Sequence, residues 1–220
     1  MDSPVAIDPG AAGLVRLGLV AVDGIASTVS PALETELDRA VAALRNEFAG
    51  RSAGEIPRLA PARELYRSIG LDPTKRRPSP EALTRRLLRG DPFPRVHPAV
   101  DLGNVWAILH GLPVGLYDRA ALAPPLTLRI GAPGESYAGI RKDEVHLEGR
   151  LLLADTRGPF GNPSADSLRT SVTDASRDLL YVLFAPRSFD AGAFAGQLDW
   201  LERAAPRLLG GAARVLASVD

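Results

Sequence analysis

The chain has 220 residues, 45% of them hydrophobic and 24% charged, enough apolar content to bury a sizeable core in one large domain. Lys+Arg and Asp+Glu both number 26, so overall charge points to no polyanionic partner. The absence of cysteine excludes disulfides, thiol nucleophiles, Cys-ligated zinc and iron–sulfur centres.

Charge is unevenly spread. Residues 1–57 carry eight acids against four arginines, whereas residues 58–97 carry ten bases against four acids. Such a basic segment either meets phosphate or forms a solvated helix face. Met1–Gly10 lacks the basic start of a signal peptide, and no apolar run approaches the roughly 18 residues of a membrane span. A cytoplasmic protein with no membrane or DNA partner is expected.

In chain order, Leu14–Val22 is rich in Val and Leu and closed by Asp23-Gly24, which predicts the first strand. Ser30-Pro31 predicts a helix start with Ser30 as N-cap, followed by Leu33, Leu37, Ala40, Val41 and Leu44 at helical spacing, fading near Phe48. A second helix is predicted over Ala62–Ile69. Ser79-Pro80-Glu81 again reads as an N-cap with proline inside the helix, leaving Leu83 and Leu87 toward the core. Arg85, Arg86 and Arg89 fall on the remaining surface and, with Arg76 and Arg77, make a candidate phosphate-contacting patch.

His97 to about Leu109 predicts a further helix, with Asp101 and Asn104 set into its apolar pattern. Either both side chains pin neighbouring loops, or Asn104 points into a pocket. Beyond Gly111 the period changes to two. Leu126–Ile130, Glu144–Leu147, Leu151–Asp155 and Tyr181–Ala185 read as strands, and Gln197–Leu209 as a helix that the tail Ala212–Asp220 extends or follows. Helices dominate the first half and strands the second, which predicts an α+β fold. The expected organisation is one domain over 1–220: a strand-and-helix elaboration over 1–57, a core over 58–186 and a C-terminal helix over 187–220.

Between Asp155 and Asp174 the sequence predicts a long loop with two glycines and several hydroxyls. Its backbone at Gly158 and its side chains at Asp166, Ser167, Thr170 and Thr173 suit a polar ligand, with Asp155 at the strand end; equally, the hydroxyls suit local capping. No metal-ligand spacing surrounds His97, His110 or His146, and an acidic site from Asp101, Asp155 and Asp166 is disfavoured. Neither a nucleophile elbow nor a phosphate-binding glycine loop occurs. No metal or cofactor is expected, and no residue is assigned a catalytic role. Any chemistry would rest on a positioned water.

From Val96 the chain resembles the B3/B4 domain, the tRNA-binding and editing module of the phenylalanyl-tRNA synthetase beta subunit. The resemblance rests on Val100-Asp101-Leu102-Gly103-Asn104, on Gly111-Leu112-Pro113-Val114-Gly115-Leu116-Tyr117-Asp118, and on Leu128-Arg129-Ile130 followed by Gly134-Glu135. It covers roughly Arg58 to Pro186, and the upstream basic helix is similar to freestanding versions of the domain. It implies helices packed on a β-rich sheet domain, with an amino-acid-sized pocket lined by Asn104, Asp155, Gly158, Asp166, Ser167, Thr170 and Thr173. The implied activity is hydrolysis, by a positioned water, of a mischarged aminoacyl-tRNA in trans. A binding module without chemistry, or a small-molecule enzyme or sensor on the same fold without RNA, are the alternatives. Two departures stand out. Gly115 replaces a histidine of the family's editing pocket, and the family's glutamate falls near Leu180 or Val182, both apolar.

Overall fold

The computed structural model describes residues 5–140 and 144–219, so the first four residues of the Met1–Gly10 stretch lie outside it. The chain runs β1 (Val5–Ile7), β2 (Val15–Asp23), α1 (Pro31–Glu47), α2 (Ala60–Ser68), α3 (Ser79–Leu88) and α4 (Pro98–His110). It continues with β3 (Val114–Asp118), β4 (Leu126–Ile130), β5 (Ser136–Tyr137), β6 (Val145–His146), β7 (Leu151–Asp155), β8 (Gly158–Asn162) and β9 (Ala165–Asp166). The last elements are β10 (Leu179–Pro186), α5 (Ala191–Leu209) and β11 (Ala212–Val219). This is an α+β fold.

Local chemistry sets the helix ends. Ser30 Oγ accepts from Leu33 N at 3.1 Å and donates to Leu208 O at 2.7 Å, so one hydroxyl starts α1 and ties it to α5. His97 Nδ1 caps α4 by accepting from Ala99 N at 3.2 Å. At the other end of α4, Gly111 takes a left-handed φ of 73°, and a Cβ there would lie 2.0 Å from Arg58 O; only glycine fits. Ser79 is not a cap. It is the first residue of α3, which follows Pro78 without a side-chain cap and keeps Ser79 exposed.

The layers follow from alternation along two fully buried strands. The sheet β11-β2-β10-β3 is the middle layer. Val20 and Val22 of β2 and Tyr181 and Leu183 of β10 point to one face, into a core with Leu33, Leu37, Trp106 and Leu201 from α1, α4 and α5. Leu17, Leu19, Leu180, Val182 and Phe184 point the other way, against Leu128, Leu153 and Phe160 of the sheet β1-β4-β7-β8-β9. Trp106 is fully buried with its indole donating to Gln197 O at 3.2 Å, which satisfies its polar edge.

Two expectations are corrected. The tail is a strand, not more helix: Gly210 and Gly211 turn the chain back at φ 79° and 73°, and Ala212–Val219 pairs antiparallel with β2. A Cβ on Gly211 would come within 2.0 Å of Asp23 O, so the reversal depends on that glycine. The stretch after Asp155 is not an open loop. It folds into β8, β9 and a 3-10 turn at Leu168–Thr170; glycines and prolines hide its pairing from a periodicity reading. Among the described residues no helix is long and apolar enough to cross a membrane.

Candidate functional site

A cavity of about 360 Å³ opens between α3, α4, β3 and the chain around β9. Its walls are apolar, from Leu83, Val100, Val114, Leu116, Val172 and their neighbours, and Val96 and Ile140 stay exposed at its edge. Polar side chains enter it from Ser79, Asn104, Asp166 and Ser171. An apolar pocket with few convergent polar groups is the usual form of a small-ligand site.

The motif residues divide the labour of building it. Asp101 is buried and receives Arg95 Nε at 2.7 Å and Val96 N at 3.2 Å, so it anchors the segment entering α4. Asn104, three residues on, lines the cavity with an amide that has no hydrogen-bond partner among the described residues. The two polar residues of α4 thus do different work. Arg129 and Glu135 of the Leu-Arg and Gly-Glu elements join in a bidentate ion pair of 2.6 and 2.5 Å, which closes the turn after β4. Glu135 is held below the usual carboxylate range chiefly by that guanidinium.

Asp166 is the chemical centre of the cavity wall. Tyr117 Oη donates to its Oδ1 at 2.7 Å, and the Leu116 backbone also donates to the carboxylate. Part of its surface remains open to the cavity, while protein crowds its other sides. Burial pushes the carboxyl up to about 7, against the lowering effect of the two donors. Such a group changes charge near neutral pH, as a proton acceptor from water must.

Gly115 has a physical explanation in the same place. A Cβ on Gly115 would lie 2.3 Å from Tyr117 Oη, and one on Gly161 would lie 2.1 Å from it on another side. The tyrosine hydroxyl therefore occupies the space a larger residue at 115 would need. Leu180 and Val182 face the opposite core and do not reach the cavity.

The other expected pocket residues lie outside the cavity. Asp155 takes Arg169 in a bidentate pair at 3.0 and 2.9 Å and accepts from the amides of Ala123 and Arg157. Burial raises its pKa, but these donors outweigh burial and hold it below the carboxylate range. Gly158 gives its carbonyl to Arg169 at 3.3 Å. Ser167 Oγ accepts from Arg169 N at 3.1 Å, Thr170 is buried with its hydroxyl toward Phe160 O, and Thr173 is joined to Ser176. These residues build the strand and turn that carry Asp166. Leu83, Ile140 and Ser171 line the cavity without a signal in the sequence, whereas Val100, Val114 and Leu116 of its wall, and Tyr117 behind Asp166, lie within the quoted motifs.

Of the five candidate arginines, Arg85 and Arg89 line one shallow groove with Arg51 and Glu81. Arg77 lies 3.7 Å from Glu81, Arg86 donates to Pro92 O at 3.0 Å, and Arg89 pairs with Asp91 at 2.9 Å. Arg85 is exposed and lines a shallow groove with Arg51. Arg76 points elsewhere, reaching Ser164 Oγ at 3.4 Å. His97 and His110 lie away from the cavity, and burial lowers His110 to about 4 between the rings of Trp106 and Trp200. Among the described residues no three acids or histidines cluster as a metal site would require; Asp101 and Asp155 are each neutralised by an arginine.

Fold and cavity together define an α+β domain with an apolar cavity of about 360 Å³ beside its middle sheet. The model of the B3/4 domain matches residues 61–190, more than half of the chain, and the protein belongs to that family. Its structure is similar to an N-terminal fragment of the phenylalanyl-tRNA synthetase beta-subunit from Pyrococcus horikoshii, with a TM-score of 0.51 and 15% identity. That match covers 96% of this chain and 50% of the other, so this chain spans half the length of its structural counterpart. No curated protein matches the sequence.

Proposed function

We propose that this B3/4 protein is a tRNA-related module whose cavity receives the aminoacyl group of an aminoacyl-tRNA and hydrolyses its ester in trans. The observation that carries this reading is the presence, in one apolar cavity, of the Asn104 amide, without a hydrogen-bond partner among the described residues, and the Asp166 carboxyl. Asn104 offers both a donor and an acceptor to an amino-acid backbone. Ionised Asp166 takes a proton from water as the water oxygen adds to the ester carbonyl. The bond to the ribose oxygen then breaks, and that oxygen leaves with a proton.

The test is release of amino acid from a panel of mischarged tRNAs by the wild type, Asn104→Ala and Asp166→Asn. Hydrolysis lost in both variants supports the reading; hydrolysis unchanged in Asp166→Asn removes the carboxylate from the mechanism. One observation favours the alternative of binding without chemistry: Asp166 already accepts two hydrogen bonds, and among the described residues no second acid or base lines the cavity. Salt-dependent tRNA binding with no release of amino acid would establish that alternative.

A further inference from the structure

Beside the cavity lies a second feature, legible in how arginines are partnered. Seven described arginines are half-buried: Arg58, Arg63, Arg76, Arg119, Arg129, Arg150 and Arg169. Five of them hold a carboxylate, from Glu47, Glu81, Asp23, Glu135 and Asp155 respectively. Arg76 and Arg150 hold none among the described residues. These two are also near each other. Arg76 Nη1 approaches Ser164 Oγ at 3.4 Å, and Ser164 lies in the turn joining β8 to β9. Arg150 immediately precedes β7, whose antiparallel partner β8 runs into that same turn, so Arg150 and Ser164 occupy one end of the hairpin.

The surrounding groups are already committed. Asn162 Oδ1 accepts from Ser164 N, Ser164 Oγ and Ala165 N, and Tyr137 Oη donates to Ala165 O at 2.6 Å. Tyr66 Oη donates to Pro163 O at 3.0 Å. The turn is thus fixed by its own hydrogen bonds, and the two guanidinium groups beside it have no carboxylate partner among the described residues. Burial and the neighbouring Arg76 charge hold Arg150 below the usual guanidinium range, as expected of two cations kept close. An oxyanion between them would relieve that repulsion and match the planar donor forks of arginine.

We propose that Arg76 and Arg150, brought together at the turn that holds Ser164, form a phosphate-binding site, and that it holds a backbone phosphate of the RNA whose aminoacyl end enters the cavity. The second half rests on the function proposed above. Ser164 is two residues before Asp166, about 7 Å along an extended chain, so one ligand can engage both places. This differs from the basic helix as an RNA surface: the site joins the linker before α3 to the sheet, and Arg150 belongs to it.

The experiment titrates inorganic phosphate into the wild type, Arg76→Gln, Arg150→Gln and the remote control Arg203→Gln, followed by amide NMR shifts around Ser164. It then measures the salt dependence of binding to an RNA oligonucleotide for the same proteins. Phosphate affinity falling about tenfold or more in the first two variants alone is expected, with the RNA salt slope reduced by roughly 0.7–0.9. Either result supports the site. Phosphate binding without RNA binding keeps the site and overturns the RNA reading. RNA binding whose salt slope ignores both variants, with no phosphate response at Ser164, overturns the site and leaves the RNA reading standing. Thermal unfolding of each variant identifies any that fails to fold, and Arg76→Lys and Arg150→Lys, which keep the charge, then replace it.

Discussion

Tyr117 Oη donates to Asp166 Oδ1 at 2.7 Å, and it does so between two glycines, Gly115 and Gly161, neither of which has room for a Cβ. The tyrosine comes from β3 and the aspartate from β9, so one hydrogen bond fastens the middle sheet to the outer one at the edge of the cavity. Because a donor to a carboxylate favours its charged form, Tyr117→Phe should raise the Asp166 pKa above its present value of about 7. Carboxyl-carbon NMR titration of both proteins measures this; an unchanged midpoint would mean the hydroxyl contributes nothing to the charge state.

The same carboxyl should leave a mark on stability. Its folded pKa is raised above the unfolded value, so its favourable contribution is complete below about pH 4 and is lost as pH rises through about 7. The loss is about 2–4 kcal/mol after discounting for the face open to the cavity. Asp166→Asn should abolish that part of the pH dependence. His110 acts in the opposite direction, since burial lowers it to about 4 and its contribution disappears as pH falls from about 6.5 toward 4. Urea unfolding at pH 4, 6 and 8 for wild type and variant, taken as a difference, cancels the histidine and isolates Asp166.

Gly115→Ala should destabilise the protein by about 1–3 kcal/mol, because Tyr117 cannot retreat toward Gly161. Gly115→His, with a longer side chain, should cost more. A histidine tolerated there with wild-type stability would show that the Tyr117 ring has another place to go, and chemical denaturation decides it.

Asp155→Asn should lower stability by about 2–4 kcal/mol, through a buried carboxylate that loses its charge against Arg169. The cavity's lining is untouched, so ligand binding per folded molecule should persist. A stable but inactive variant would instead return Asp155 to the functional site.

A double-mutant cycle on Arg129→Leu and Glu135→Gln should give a coupling of about 1 kcal/mol, since the pair is bidentate yet still partly solvated. Coupling near zero would leave the turn after β4 to its backbone alone.

How much of this was legible beforehand depended on how local the cause was. Ser30, His97-Pro98 and Gly111 act within one helical turn of themselves, and the helix limits they predict lie close to those observed. Leu151–Asp155 and Tyr181–Ala185 are apolar runs whose strand character needs no partner to be recognised. Short elements were harder: β1 is three residues long, and β9 two, so neither offers a period to read. The cavity was hardest. Asn104 faces it and Asp155 does not, although both are polar residues within apolar elements; the difference is that Arg169, fourteen residues downstream of Asp155, comes back to neutralise it. Side-chain partners reached through tertiary folding leave no trace in spacing. The same holds for the arginines: Arg76 reaches Ser164, whereas Arg89 pairs with Asp91, and neither partner is visible in spacing.

The place of β2 in the middle sheet carries a consequence for how this domain is cut. The family match begins at Pro61 and ends at Asp190, yet β10, inside the match, pairs along its full length with β2, which lies before it. The edge partner of β2, β11, lies after it. A fragment trimmed to the matched residues would expose one whole edge of β10 and uncover Phe184, Val182 and Leu183, offering other chains a flat, unpaired apolar strand. Similarity marks where the family's shared pattern stops; the hydrogen-bond ladder marks where a knife would turn a folded protein into a sticky one.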